Sequence, residues 1–353
     1  MALSSTEKWR AVAVQTWPSL VALAVASLAG LAVVALAGHS SLDAARIMFE
    51  GAFGDRYAVT ESLLKSVPLL FTGLAVIVAF RAGIWNIGAD GQFMLGALVA
   101  TFLGVKVVWP SPLLAFAVIG VCAFLAGSLW AGIASALREW RFVSEVISTI
   151  MLNLIALQLI SLMVHGPLQE AAGTYPQSDR LVEAARLARW IPGTRLHAGF
   201  LLGLALCGAL WLLLFRLPLG FRIRAIGQNP EAARFAGIPV RRTAVMAMLL
   251  SGGLAALGGY VEVAGVTYRL YENISPGYGF TAIAVALLGR LHPLAMIPAA
   301  LLFGGLESAT RALQRNLGVS PVLAEIIQAF VILAVVGFEA RRVRQWLGRR
   351  RGS

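Results

Sequence analysis

The chain has 353 residues, 59% of them hydrophobic and 13% charged, with a mean hydropathy of +0.79; this balance excludes an ordinary soluble domain and makes lipid the solvent. The formal net charge of +12 is not a nucleic-acid footprint, because the arginines sit in breaks between apolar runs and at the C-terminus, with no basic aromatic surface beside them. The two cysteines, Cys122 and Cys207, lie inside apolar runs and are expected to pack between helices rather than to pair or hold metal.

In chain order, the first apolar run covers about residues 17–38, behind Lys8 and Arg10. Ala35-Leu36-Ala37 is similar to a signal-cleavage site, but a run of ~20 residues exceeds the ~7 to 15 of a signal core, so a retained first span is expected. Further runs near the ~20 residues needed to cross a bilayer fall at about 63–80, 91–108, 113–136, 145–165, 198–215, 244–264, 294–310 and 321–338, with a shorter one at about 280–289. The expectation is about ten crossings.

Between the second and third runs, Arg81 to Leu98 reads RAGIWNIGADGQFMLGAL, with polar side chains among closely spaced glycines. At membrane depth such a break is tolerated only where protein or a water-filled cavity satisfies it. Asn86, Asp90 and Gln92 therefore either line a polar pathway or clamp one helix end through hydrogen bonds, and Asp90 is placed to cap the span that follows. In the fifth span Glu145, Thr149 and Asn153 recur every four residues and share one helix face. A lone mid-span Asn serves as interhelical glue as readily as it contacts solute, so both roles stay open for Asn153.

Residues 166–196 are too polar to span. The pattern Leu181, Val182, Ala185, Leu187 and Trp190 predicts a short interfacial helix there, either a docking surface or a connection resting on the membrane. The loop from Phe221 to Arg242 carries FRIRAIGQNPEAARFAGIPVRR. Asn229 is a good N-cap, Pro230 suits the first helical position, Glu231 falls in the favourable first turn, and Gly237 followed by Pro239 is a stop. A helix of about two turns, ~10 Å long, is expected, with small Ala232, Ala233 and Ala236 beside the large Phe235, a surface suited to a groove on another protein. Further on, GYGFTAIAVALLGRLHPL from Gly277 to Leu294 interrupts apolar sequence much as 81–98 does, a hint of the paired broken helices of repeat-built transporters. The last run places Glu325 and Gln328 one turn apart.

The positive-inside rule gives the orientation. With the N-terminus inside, Arg81, Arg138, Arg141, the Arg216–Arg242 loop, Arg290 and the tail RRVRQWLGRRR all fall inside, so both termini are expected to be cytoplasmic. Outside lie Asp43, Glu50 and Asp55, and the 166–196 loop, where Glu170, Asp179 and Glu183 partly offset four arginines. The four histidines, His39, His165, His197 and His292, are scattered at span ends, with no catalytic or metal-ligand spacing, and no G-x-x-x-x-G-K-[ST] phosphate loop is present. An enzyme is not expected, and an ATP-driven function would need another polypeptide.

Three segments, GIWNIGADGQFMLGAL, RAIGQNPEAARFAGI and GYGFTAIAVALLGRLHP, resemble the signatures of ABC-importer permeases related to ribose and branched-chain amino acid permeases, most closely the nucleoside or simple-sugar branch. The similarity covers about residues 60 to 340; Trp85 and Asp90 stand where Phe or Leu and Glu are also familiar. It implies a type II-like permease of the bacterial plasma membrane that pairs with a second permease as a homo- or heterodimer. It further implies that solute arrives from an extracytoplasmic binding lipoprotein and that a cytoplasmic ABC ATPase holds the ATP and Mg, leaving this chain without cofactor or metal. The matching coupling segment runs from Arg224 to Gly237 through Gly227, Asn229, Pro230, Glu231, Ala233 and Phe235.

The expectation is thus an all-α polytopic bundle of about ten spans with broken or re-entrant helices, a single permease domain over 1–353. It has a cytoplasmic coupling segment at 221–242, an extracytoplasmic loop at 166–196 and a basic cytoplasmic tail at 339–353. The solute is expected to be small and polar, a nucleoside first, with a simple sugar or branched-chain amino acid as the alternative. An ion-coupled secondary transporter needs a titratable mid-membrane centre, whereas Asp90, Glu145, Glu262 and Glu325 fall toward predicted span ends.

Overall fold

The computed structural model describes residues 40–318 together with Ser320, Ile326, Ala329, Phe330 and Leu333. The first span expected at 17–38, the Glu325 and Gln328 pair and the basic tail lie outside the described residues, as does most of 321–338. Eleven α-helices follow one another among the described residues: α1 (Ser41–Phe53), α2 (Arg56–Arg81), α3 (Ala89–Lys106), α4 (Pro112–Arg141), α5 (Glu145–Val164), α6 (Gly199–Arg216), α7 (Pro218–Gln228), α8 (Pro230–Phe235), α9 (Val240–Glu262), α10 (Tyr278–Leu288) and α11 (Met296–Leu317). A 3₁₀ turn at Glu183–Ala185 precedes α6, and a π-type turn at Val263–Thr267 extends α9.

Local sequence accounts for many of the boundaries. Ser40 opens α1 by accepting the Asp43 N–H at 3.3 Å. Ser111 does the same for Leu114 at 3.3 Å, ahead of Pro112, whose missing N–H costs nothing in a first turn. α4 stops where Phe142 turns left-handed, φ 57°.

Each of the eight expected runs between 63 and 310 forms a helix. Five are long and apolar enough to cross a membrane: α2, α4, α5, α6 and α9 with its π-type turn. The ten crossings expected are therefore matched only in part among the described residues. α3 carries Asp90 and Gln92 in its first turn and is buried along nearly its whole length. α10 has 11 residues, about 16 Å at 1.5 Å per residue, and is a half-span.

The described residues divide into two compact units, those up to Val59 with those from Gly305 on, and Thr60–Gly304. In the first, Ala44 of α1 packs on Leu313 of α11, Gly51 sits flush against Ala312, and the Ser308 hydroxyl donates to the Gly51 carbonyl at 2.8 Å. In the second, α9 lies along α3 and α4. A Cβ on Gly96 would strike the Ala256 backbone, and one on Gly259 the Phe93 carbonyl. Such close approach lets dispersion hold helices together in a solvent as apolar as they are.

The interfacial helix expected around Leu181–Trp190 does not form; only the turn at Glu183–Ala185 is helical. The Leu181, Val182 and Leu187 N–H groups donate instead to the carbonyls of Tyr268, Gly104 and Ala264, at 3.0, 2.9 and 2.8 Å. These tertiary partners satisfy the donors that a helix would have satisfied internally. The apolar positions still point inward: Leu181, Ala185 and Leu187 are buried, whereas Trp190 is exposed. Arg195 fastens the same segment to α2, its Nε donating to Glu61 Oε1 at 2.9 Å.

His197, just before α6, is fully buried. Its Nδ1 accepts the Gly199 N–H at 3.1 Å, so the neutral ring carries its proton on Nε2, which has no partner among the described residues. Burial pushes the imidazole from 6.5 down to about 4. The unfolded ring takes up a proton first, so the stability this site contributes is complete above pH 6.5 and is lost as pH falls through about 4. Up to about 3 kcal/mol is at stake, at 1.36 kcal/mol per pKa unit. Thermal unfolding at pH 7 and pH 4.5 is expected to show a larger acid destabilisation in wild type than in His197→Gln; equal losses would remove this site from the acid response.

Candidate functional site

α2 ends at Arg81, and the chain then turns through Gly83, φ 73°. Residues 82–88 are non-helical before α3 begins at Ala89. The freed polar groups find partners within the protein. Asn86 Nδ2 donates to Gln92 Oε1 at 2.9 Å and to Ser251 Oγ at 2.8 Å. Its Oδ1 accepts the Gly88 N–H at 2.9 Å and the Gln92 carboxamide at 3.0 Å. Ser251 in turn donates to the Ala75 carbonyl at 2.7 Å. From α5, Asn153 Oδ1 accepts the Gly91 N–H at 2.8 Å, and its Nδ2 donates to the Ile87 carbonyl at 2.9 Å. Thr149 donates back to the Glu145 carbonyl at 2.6 Å and packs beside Gly88, while Glu145 faces Arg138 at 3.7 Å.

Asp90 joins two helix starts. Its Oδ1 accepts the Ser275 hydroxyl at 2.7 Å and the Gly279 N–H at 2.9 Å, so one carboxylate from the first turn of α3 also serves the first turn of α10. Two positive dipole ends converge on it. The contact is possible because position 279 has no side chain: a Cβ there would collide with the Asp90 backbone. The two broken segments paired in the sequence therefore touch at their helix starts. Asn86, Asp90, Gln92, Thr149 and Asn153 are all buried, at 0, 5, 1, 1 and 6% exposure, and the structure brings all five into one cluster.

Two members of the cluster were not singled out from sequence. Ser275 had a local signal, since Ser-Pro-Gly precedes α10 and its Oγ accepts the Tyr278 N–H at 3.2 Å, as a cap does. Ser251, a lone hydroxyl in an apolar run, had none.

At the arginine-bearing end of these helices the three signature segments meet. Arg81 donates through Nε to the Leu291 carbonyl at 2.9 Å, Gly83 lies beside Gly227, and a Cβ on Gly227 would strike the Arg81 carbonyl. The guanidinium groups of Arg224 and Arg81 stand 5.1 and 5.7 Å from the Phe215 ring centroid. α7 is thereby seated against the break, and α8 follows it directly.

α8 forms as its sequence predicts. Asn229 Oδ1 accepts the Ala232 N–H at 3.0 Å, Pro230 opens the helix, and Gly237 takes φ 76° to end it, a conformation that favours glycine. Phe235 is 94% exposed, whereas Ala233 is 4% exposed and turned into its own chain. Ala233 is thus not part of the outward surface expected of it; that surface is Glu231, Ala232, Phe235 and Ala236.

With this geometry established, residues 58–336 match the model of the family described as branched-chain amino acid transport system / permease component. The chain belongs to that family. Among its relatives, the glucose ABC transporter permease TsgB13 of Haloferax volcanii is 39% identical, over 84% of this chain and 81% of its own. The guanosine ABC transporter permease NupP of Bacillus subtilis is 34% identical over 84% and 85%. The nucleoside ABC transporter permease NupB of Lactococcus lactis is 30% identical over 82% and 81%. No solved structure matches the chain. This protein is a multi-pass membrane permease subunit of an ABC transporter, not an enzyme, and ATP hydrolysis belongs to a separate subunit.

Proposed function

We propose that this permease carries a nucleoside into the cell and is coupled through α8 to a cytoplasmic ABC ATPase. The observation that carries the coupling is the short, well-capped α8 with Phe235 held almost wholly in the open. A rigid aromatic knob on a short helix fits a pocket in a partner protein. Gly227 against Arg81 then gives movement of α8 a packed route to the break at 82–88. ATP binding shifts the inward- and outward-facing populations only as far as the ATPase binds them differently.

Asn86, Asp90, Gln92, Thr149 and Asn153 act in this reading as the clamp that fixes the shape of the break, because their hydrogen bonds run to one another, to the Ser251 and Ser275 hydroxyls and to backbone. The names of NupP and NupB support a nucleoside; that of TsgB13, at 39% identity, favours a simple sugar as the second reading. A second permease subunit is supported by two guanosine permeases of one organism, NupP and NupQ, both resembling this chain. An extracytoplasmic binding lipoprotein delivers the solute.

Arginine alternation makes the α8 end and both termini cytoplasmic and residues 166–196 extracytoplasmic. A reporter inserted near Gln177 is expected outside, and one fused after Arg344 inside; both on one side would overturn the orientation. For the solute, vesicles bearing the complete transporter are expected to take up labelled guanosine with ATP, to continue after ion gradients collapse, and to be inhibited by unlabelled nucleosides but not by glucose. Competition by glucose alone would move the assignment to sugar. Uptake that follows the ion gradient without ATP would overturn the ABC mechanism.

A further inference from the structure

A pocket of about 690 Å³ opens between the last turns of α4 and the first turns of α9, lined by none of the polar cluster's residues. Gly132, Ala136, Val245 and Met246 give it an apolar wall, and Trp140, Arg241 and Arg242 stand at its mouth with Glu139. Its volume is that of a small-ligand site, but its composition is graded: mostly hydrocarbon along the helices, with Ser135 the one hydroxyl, then a Trp, then guanidinium groups where both helices end. That is the profile of the membrane itself from acyl region to headgroup.

The charges decide the occupant. Arg241 Nε faces Glu139 at 3.4 Å, which neutralises one arginine. Arg242 is exposed and forms no ion pair among the described residues. The pocket mouth therefore carries two positive charges and one negative, a surplus of one, complementary to a single phosphodiester whose headgroup adds no cation of its own. Guanidinium binds phosphate oxygens through paired, charge-assisted hydrogen bonds. A zwitterionic lipid would bring an ammonium or choline group against Arg242.

We infer that this pocket is a binding site for one anionic phospholipid, with its phosphate on Arg242 and Arg241 and an acyl chain along the α4–α9 wall. The site needs only that both helices lie in the membrane. Its assignment to the cytoplasmic leaflet rests on the orientation proposed above, whereas lipid retention is measured without solute or ATPase and fails independently of that reading.

The test is native mass spectrometry of the full chain released from detergent after equilibration with phosphatidylglycerol or phosphatidylcholine of identical acyl chains. Wild type is expected to retain phosphatidylglycerol in preference. Arg241→Gln/Arg242→Gln is expected to lower that retention about tenfold, the loss of a charge-assisted contact, and Ala136→Phe, which fills the wall but keeps both arginines, is expected to lower it as well. Elution of each variant as a single folded species checks that it is intact; should Ala136→Phe misfold, the arginine pair decides alone. Equal retention of the two lipids by wild type, or unchanged phosphatidylglycerol retention in the arginine variant, would overturn the assignment. So would an Ala136→Phe chain that keeps its lipid but, in a parallel co-purification of the whole transporter, no longer brings down its second permease or ATPase, since the pocket would then be a protein interface.

Discussion

Phe235→Asp is expected to detach the ATPase while leaving the permease folded in the membrane. Phe235 is 94% exposed, so removing it costs this chain little, whereas an aromatic anchor seated in a partner's pocket typically contributes about 2 kcal/mol or more to binding, some 30-fold in affinity. Ala232→Trp and Ala236→Trp enlarge the same outward face and are expected to act likewise, because an interface packed to interior density has no volume for an indole. Gly237→Val places a β-branched residue at φ 76°, where only glycine is free of strain, and should misdirect the helix. Ala233→Trp is uninformative, since its side chain is buried in its own chain and the change would unseat α8 directly. Co-purification of the ATPase and solute-stimulated ATP turnover should fall together in Phe235→Asp and Ala232→Trp, while insertion and pairing with the second permease persist. Wild-type coupling in both would show that α8 is only a surface turn and that the motor docks elsewhere.

Asn86→Leu is expected to reduce the amount of folded protein and the transport rate in the same proportion. The substitution nearly preserves volume but leaves the Gly88 N–H and the Gln92 carboxamide without their acceptor and donor inside a buried cluster. Each stranded group costs about 1–3 kcal/mol, so the loss is comparable to a large share of the stability of a typical domain. Asn153→Leu strands the Gly91 N–H and the Ile87 carbonyl and should behave alike. Quantifying folded complex by fluorescence-detected chromatography alongside initial uptake rates separates the roles. Transport falling much further than the folded complex would mean that these side chains contact solute as well as clamp the break.

What was legible in the sequence was local. A cap acts within four residues, so Asn229, Pro230, Glu231 and Gly237 announced α8 and its ends without reference to the rest of the chain. Apolar runs near the thickness of a bilayer marked α2, α4, α5, α6 and α9, because lipid forces backbone groups to pair within the segment. The glycines and amides of 81–92 declared a break for the same reason. Tertiary structure decided where the polar groups of that break went. Ser251 reaches Asn86 from 165 residues away, and Asp90 meets Gly279 only because α3 and α10 start at one point. It also decided which face of α8 is free, turning Ala233 inward and Phe235 outward. Around Leu181 it overrode the helical pattern, since the carbonyls of Gly104, Ala264 and Tyr268 accepted the N–H groups that an amphipathic helix would have paired within itself. Around Leu181 the apolar spacing still marked Leu181, Ala185 and Leu187 as buried, but backbone hydrogen bonds go to whichever partners the fold brings within reach.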